Sequence, residues 1–281
     1  MITGLDHVVV LVNNIDAGTS AYELLLGCAP SWRSRGDGSQ TVLFTLDNMS
    51  LELMAPAGES ATARRIRDVI KLWGEGLASI CFATSDIARM HRRLERVALK
   101  PDAVAEVESH DLLSGKVLHW KRTRATELTR GVRMFFLELA EQQRPRSRVT
   151  KDAPILALDH VVLSTEDPER VAALYGARLG LDLALDRSHQ DWGRLMFFRC
   201  GDVIVEIVCR PVAGGDQQND KLWGLSWRVA DIEATRARLV AAGVGATEVR
   251  AGRKPGTRVM SVRNGACGIH TLLLERTAKA G

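Results

Sequence analysis

The apolar and polar positions fall into blocks whose period switches from two to about 3.6 and back, four times along the chain. The run "GLDHVVVLV" (4–12) is rich in β-branched residues and predicts a strand. "IDAGTSAYELLLG" (15–27) follows and predicts a helix, with Asp16 as the expected N-cap and Gly27 as the stop. "QTVLFTL" (40–46) and "MSLELMA" (49–55) then predict two further strands. The third quarter repeats this order with "LDHVVLST", "DPERVAALYGARLG", "RLMFFRC" and "VIVEIVC", with Asp167 as N-cap and Pro168 at the first helical position. The second quarter reads "LASICFATS", "DIARMHRRLERV", "KVLHWKRTR" and "RMFFLELA". The fourth reads "LSWRVA", "DIEATRARLVAAG", "TRVMSVR" and "GIHTLLLER". The pattern predicts an α+β chain of four βαβββ units.

Two exact echoes support a duplication. "LDHVV" occurs at 5–9 and again at 158–162, and "KLWG" occurs at 71–74 and at 221–224. The expected first domain is 1–140, with units 1–57 and 72–140. A polar linker follows at 141–155, containing "EQQRPRSRVTKDAP". The expected second domain is 156–276, with units 156–210 and 221–276. One unit cannot bury its own sheet. Two side by side give a curved mixed sheet with helices outside and a ligand cleft on the concave face.

Composition narrows the function. Apolar residues make up 46% and charged residues 26% of 281, with a net charge of +4, as in an ordinary globular protein rather than a nucleic-acid binder. No apolar run approaches the roughly 20 residues that span a bilayer, so no membrane partner is expected. The first strand starts too early for a signal peptide. The five cysteines are odd in number, lack CxxC spacing and sit partly in apolar strands, which suits free thiols in a reducing cytoplasm.

Paired units opening with "LDHVV" and closing with "LEL" or "VEI" resemble the vicinal oxygen chelate superfamily, which includes glyoxalase I, bleomycin-resistance proteins and extradiol dioxygenases. The stretches "LLSGKVLHW" and "MFFLEL" are similar to those of glyoxalase-like domains. The resemblance implies two glyoxalase-like domains. It also implies metal ligands on the first and last strands of a unit: His7 and Glu52 in unit one, His160 and Glu206 in unit three. Units two and four carry Ser79 and Ser226 at the position taken as the histidine's. They carry about Phe135 and Leu272 in place of the carboxylate, with Glu138 and Glu275 three residues further on. With units paired one–two and three–four, each cleft would hold one His and one Glu. Only if unit one faced unit three, within the chain or across a homodimer, would the four ligands meet around one divalent ion (Zn, Ni, Mn or Fe). Each His–Glu pair also reads as an ordinary hydrogen-bonded pair in a cleft wall, with no metal.

His119, on "LHWKRT", and Arg228, two residues after Ser226, are candidate contacts to an anionic small molecule, as is the turn "GRKPGTR" (252–258). Three functions stay open. One is a glyoxalase-type lyase or isomerase acting beside a carbonyl, with Glu52 or Glu206 moving the proton. Another is a metal-free binding or sequestering protein. The third is a metal-free enzyme using Glu52 or Glu206 as base. An extradiol-type dioxygenase fits less well, because unit four lacks its ligands.

Overall fold

The structure is a computed structural model that describes residues 1–190, 193–209 and 219–276. The expected end of unit three, at 210, lies outside the described residues. The first half runs β1 (Ile2–Leu11), α1 (Ile15–Leu26), β2 (Trp32–Gly36), β3 (Ser39–Thr45), β4 (Ser50–Pro56), α2 (Ala61–Trp73), β5 (Gly76–Thr84), α3 (Ile87–Arg96), β6 (Ala105–His110), β7 (Val117–Ala125) and β8 (Arg133–Glu138). The second half begins with β9 (Ile155–Thr165), then α4 (Pro168–Ala172), which continues as a π-helical stretch over Ala173–Arg178. It goes on through β10 (Asp182–His189), β11 (Gly193–Cys200), β12 (Val203–Cys209), β13 (Lys221–Val229), α5 (Ile232–Ala241), β14 (Arg250–Ala251), β15 (Thr257–Val262) and β16 (His270–Arg276).

Each half is one eight-stranded mixed sheet, ordered β2-β3-β4-β1-β5-β8-β7-β6 and β10-β11-β12-β9-β13-β16-β15-β14. Unit one therefore joins unit two, and unit three joins unit four, through antiparallel seams between β1 and β5 and between β9 and β13. The fold is α+β, with α1, α3, α4 and α5 on the backs of the sheets. The first sheet curls until its edges meet. Trp32 Nε1 on β2 donates to Ser109 Oγ on β6 at 2.9 Å, and the Arg33 amide donates to Asp111 Oδ1 at 3.0 Å. The Asp111 carboxylate also accepts from the Ser114 amide and hydroxyl, so it fixes the β6–β7 turn as well.

The helix ends follow local chemistry. Asn14, not Asp16, caps α1, because its side chain reaches the amides of Asp16 and Ala17. Gly27 ends α1 with φ 72°, a left-handed conformation that favours glycine. Glu138 Oε2 accepts from the Ile87 amide and Glu275 Oε2 from the Ile232 amide. Both carboxylates thus serve helix starts on the back of the sheet, as their pleat position predicts.

The "KLWG" echo has no common structure. Lys71–Trp73 closes α2 and Gly74 caps it, whereas Lys221–Gly224 opens β13. The true register aligns Asp86 with Asp231, the N-caps of α3 and α5. The "LDHVV" echo does mark equivalent strands, β1 and β9.

The two halves share one buried apolar cluster. It includes Val8, Leu51 and Phe136 from the first sheet and Val161, Val205 and Trp227 from the second. Reciprocal arginines tie the helices between the sheets. Arg238 on α5 donates to the Leu25 carbonyl at 2.9 Å, at the end of α1. Arg93 on α3 donates to the Arg178 carbonyl at 2.9 Å, at the end of the unit-three helix. In each case a cation meets the negative end of a helix from the other half.

Asp220 adds a buried polar link between the halves. It accepts from Arg130 Nε at 2.9 Å and from the Thr165 hydroxyl at 2.6 Å, and is 4% exposed. Removing one partner of a buried pair strands the other. Asp220→Ala is therefore expected to cost about 3 kcal/mol, read as a lower urea midpoint. Arg130→Met with Asp220→Leu, which removes both charges, is expected to recover much of that loss.

Candidate functional site

The first cleft is built on the concave face of the first sheet. Val8 and Val10 point into the core, so His7, Val9 and Leu11 point the other way, into the cleft. The cavity holds about 670 Å³. Helix α2 covers part of it. Ile66 and Ile70 pack against Val9 and Leu11, forming a small apolar cluster on the concave side.

His7 Nδ1 lies 2.7 Å from Asp6 Oδ1, and Nε2 lies 3.4 Å from Glu52 Oε2. Asp6 is 5% exposed, and its other oxygen accepts from Arg144. Burial alone would raise the Asp6 pKa, but His7 and Arg144 hold it below the ordinary carboxylate range. Burial opposes charge on His7 too, yet Cys81 and Asp6 raise its pKa well above the usual value. Burial pushes the Glu52 pKa up, against the pull of His7 and Arg122. The Cys81 thiol is likewise pushed up by burial. The carboxylate–imidazole–carboxylate line fixes the ring through Nδ1 and presents Nε2 to the cleft.

The strand register corrects the assumed equivalence of Ser79 and Ser226. On the β1–β5 seam His7 faces Cys81, and Ser79 faces Val9. On the β9–β13 seam His160 faces Ser226. Ser226 thus matches Cys81, and Ser79 matches Gly224. Phe135 pairs with Cys81, and Leu272 with Ser226, as Glu52 pairs with Val9. Ser79 and Phe135 line the first cleft.

His160 and Glu206 belong to the second sheet. His160 Nδ1 lies 2.7 Å from Asp159 Oδ1, and Asp159 Oδ2 accepts from Arg276 at 2.6 Å. Burial would raise the Asp159 pKa, but His160 and Arg276 lower it. Burial raises that of Glu206. Phe197 meets the His160 ring edge-on at 5.7 Å between centroids. Arg228 pairs with Asp202 and donates to the Leu158 carbonyl, so its guanidinium is occupied at the sheet margin. His119 is exposed beside Glu108, while Leu118, Trp120 and Arg122 take the cleft side of β7. In "GRKPGTR", Thr257 Oγ1 bonds the Lys254 carbonyl and Arg258 pairs with Glu233, which holds the turn to its own unit.

The four resemblance-based ligands thus lie in two sheets, and one chain does not gather them around a single ion. A different cluster, Asp6, His7 and Cys81, brings ligand atoms within 4.8 Å of one another and forms a possible metal site. Asp6 and Glu52 face different nitrogens of one imidazole, so they do not converge on a shared ion. Arg144 on Asp6 also opposes a dication at that cluster. The residues present do not fit the four-ligand centre that the resemblance implies.

Asp6 and Asp159 escaped the sequence reading although both copies of "LDHVV" carry an aspartate before the histidine. Cys81 escaped because its partner is set by strand register rather than by local pattern.

The charges set a pH window. His7 binds its proton more tightly folded than unfolded. Its stabilising contribution is complete below the ordinary histidine value of about 6.5 and is lost as pH rises through the folded midpoint. Asp6, with a lowered pKa, contributes above the ordinary carboxylate range and loses that contribution as pH falls. The His7 ring resonance is expected to titrate above the ordinary histidine value of about 6.5 in an NMR titration, and Asp6→Asn is expected to bring its midpoint down.

A family model of the glyoxalase-like domain matches residues 5–156. A model of the glyoxalase/bleomycin resistance protein/dioxygenase superfamily matches residues 159–260. No curated protein matches the chain. Among solved structures, a mutant of 4-hydroxymandelate synthase from Streptomyces coelicolor is similar at TM-score 0.70 and 13% identity, covering 100% of this chain and 95% of that one. The Mn(II)-bound glyoxalase from Novosphingobium aromaticivorans is similar at TM-score 0.65 and 12% identity, covering 99% and 83%. BphC, a halotolerant catechol dioxygenase, is similar at TM-score 0.63 and 11% identity, covering 98% and 87%. At such identities these likenesses show the fold. With one family model over more than half its length and a second over the following sheet, the chain belongs to the glyoxalase-like proteins of the vicinal oxygen chelate superfamily.

Proposed function

We propose that the first cleft acts on a small molecule beside its carbonyl, as a lyase or isomerase does, by acid–base chemistry at Glu52 and His7. The observation that carries this reading is the 3.4 Å approach of His7 Nε2 to Glu52 Oε2 on the wall of an open cavity. Burial raises the Glu52 pKa, which makes its carboxylate a stronger base. Glu52 takes the proton from the carbon next to the carbonyl. His7, protonated through its raised pKa and held by Asp6, donates from Nε2 to the oxygen that gains charge. In an isomerisation Glu52 returns that proton to the neighbouring carbon while His7 Nε2 takes back its proton from the enol oxygen. In a lyase step Glu52 gives the proton to the leaving group as its bond to carbon breaks, and His7 recovers its proton as the carbonyl reforms. The equivalent second-sheet pair, His160 and Glu206, is the other candidate for the same chemistry.

A second reading, binding without turnover, draws support from Trp32 and Trp120, two indoles that line the same cavity.

Proton exchange separates these readings. Small α-keto and α-hydroxycarbonyl acids incubated with the protein in D2O are expected to exchange the proton beside the carbonyl, followed by NMR. Glu52→Gln is expected to slow that exchange about 10²–10⁴-fold, with Glu206→Gln near wild type. Loss in Glu206→Gln alone would move the site to the second sheet. Tight binding with no exchange of any compound would favour the sequestering reading.

A further inference from the structure

The walls of the first cleft carry more arginine than its carboxylates answer. Arg144 is paired with Asp6, and Arg124 with Asp102 at 3.0 Å. Arg122 lies over the Phe135 ring, 5.6 Å from its centroid. Arg65 and Arg133 also line the cavity, and among the described residues no acidic group pairs with either. Of the other acids on the same walls, Glu52 faces His7 and Glu108 faces His110, while Asp37 and the cation Arg35 both sit where β2 turns into β3 and offset one another in charge. Arg133 instead feels burial and two like charges, Arg65 and Arg124, all of which disfavour its protonated form.

The position of these cations is built, not incidental. Ile66 and Ile70 seat α2 on Val9 and Leu11, which places Arg65 at the cavity wall. Arg133 sits on β8, two residues before Phe135 and opposite Ser79 on β5. A fold that holds guanidinium groups together without a counter-charge gives up stability that a bound oxyanion restores. A guanidinium fork matches a carboxylate or phosphate geometrically and keeps its charge at any working pH.

We infer that Arg65 and Arg133 form an oxyanion seat in the first cleft, so that its ligand is a small organic acid or phosphate ester rather than a neutral or cationic compound. The seat shares the cavity with the Glu52–His7 pair and deepens that reading by naming the substrate class. It can be tested by binding alone, so its failure is distinct from a failure of the acid–base chemistry.

The test is a titration of the full chain with benzoate, inorganic phosphate, benzyl alcohol and benzylamine, followed by tryptophan fluorescence and thermal shift. At least one anion is expected to bind and raise Tm, with benzyl alcohol weaker and benzylamine weakest. Preference between benzoate and phosphate tells carboxylate from phosphate recognition. Arg133→Met and Arg65→Met are each expected to weaken anion binding about tenfold, while Arg92→Met on the outer face of α3 leaves it unchanged. Without anion, Arg133→Met is expected to melt at or above the wild-type temperature, because it removes a crowded charge. Should Arg133→Met fail to fold, the exposed Arg65→Met carries the test. Anion binding retained in Glu52→Gln keeps the seat even if no exchange is catalysed. Anions that bind no better than benzyl alcohol, or that bind both arginine variants as tightly as wild type, would overturn the inference.

Discussion

The antiparallel seam between β1 and β5 decides which side chains can meet. It joins unit one to unit two in a single curved sheet, and the β9–β13 seam does the same for units three and four. Once those seams form, His7 and Glu52 share a cleft with Ser79, Cys81 and Phe135, while His160 and Glu206 face a different sheet. The seam register also sets Cys81 against His7 and leaves a phenylalanine at the position equivalent to Glu52. The His7–Glu52 pair, even with Asp6 and Cys81 beside the ring, is a poor match to a four-ligand divalent centre of two histidines and two glutamates. It is a reasonable acid–base pair.

Duplication explains much of what surrounds that pair. The aspartate before each histidine anchors Nδ1 in both halves. The counter-cation differs: Arg144 follows β8 in the first half, and Arg276 ends β16 in the second. The same duplication supplies the bond between the halves, since Arg93 and Arg238 occupy equivalent helix positions and each closes a helix of the opposite half. The first half adds α2 across its cleft and joins β2 to β6, so its cavity is walled on several sides. Its arginines then give that cavity a cationic lining.

The strand–helix order and the mixed sheets were legible because strand period and helix period agree locally in every unit, and Asp167 is the cap its position suggests, although Asn14 and not Asp16 caps α1. His7 and Glu52 were legible because a histidine and a glutamate stand out in apolar strands. Other features depend on distant partners. The "KLWG" repeat misled because identical letters serve as a helix end in one copy and a strand start in the other. The Cys81–His7 pairing follows from a seam with register shifts, which no local pattern reports. Helix α2 did leave a signal, in Ser60 as N-cap and in Ala63, Ile66 and Ile70 at helical spacing. Its effect on the cleft becomes visible only once Ile66 and Ile70 are seen on the concave face. Arg65 and Arg133 look like ordinary surface cations in sequence, and only folding puts them on one cavity wall.

The most direct measurement is the divalent-ion content and affinity of the untagged chain, compared with His7→Ala and His160→Ala, using Mn²⁺, Zn²⁺, Ni²⁺ and Fe²⁺. Because the seams keep the two histidines in separate sheets, any ion bound is expected to depend on at most one of them. A single ion per chain that disappears in both single variants would mean that His7 and His160 share a centre, and would contradict the account.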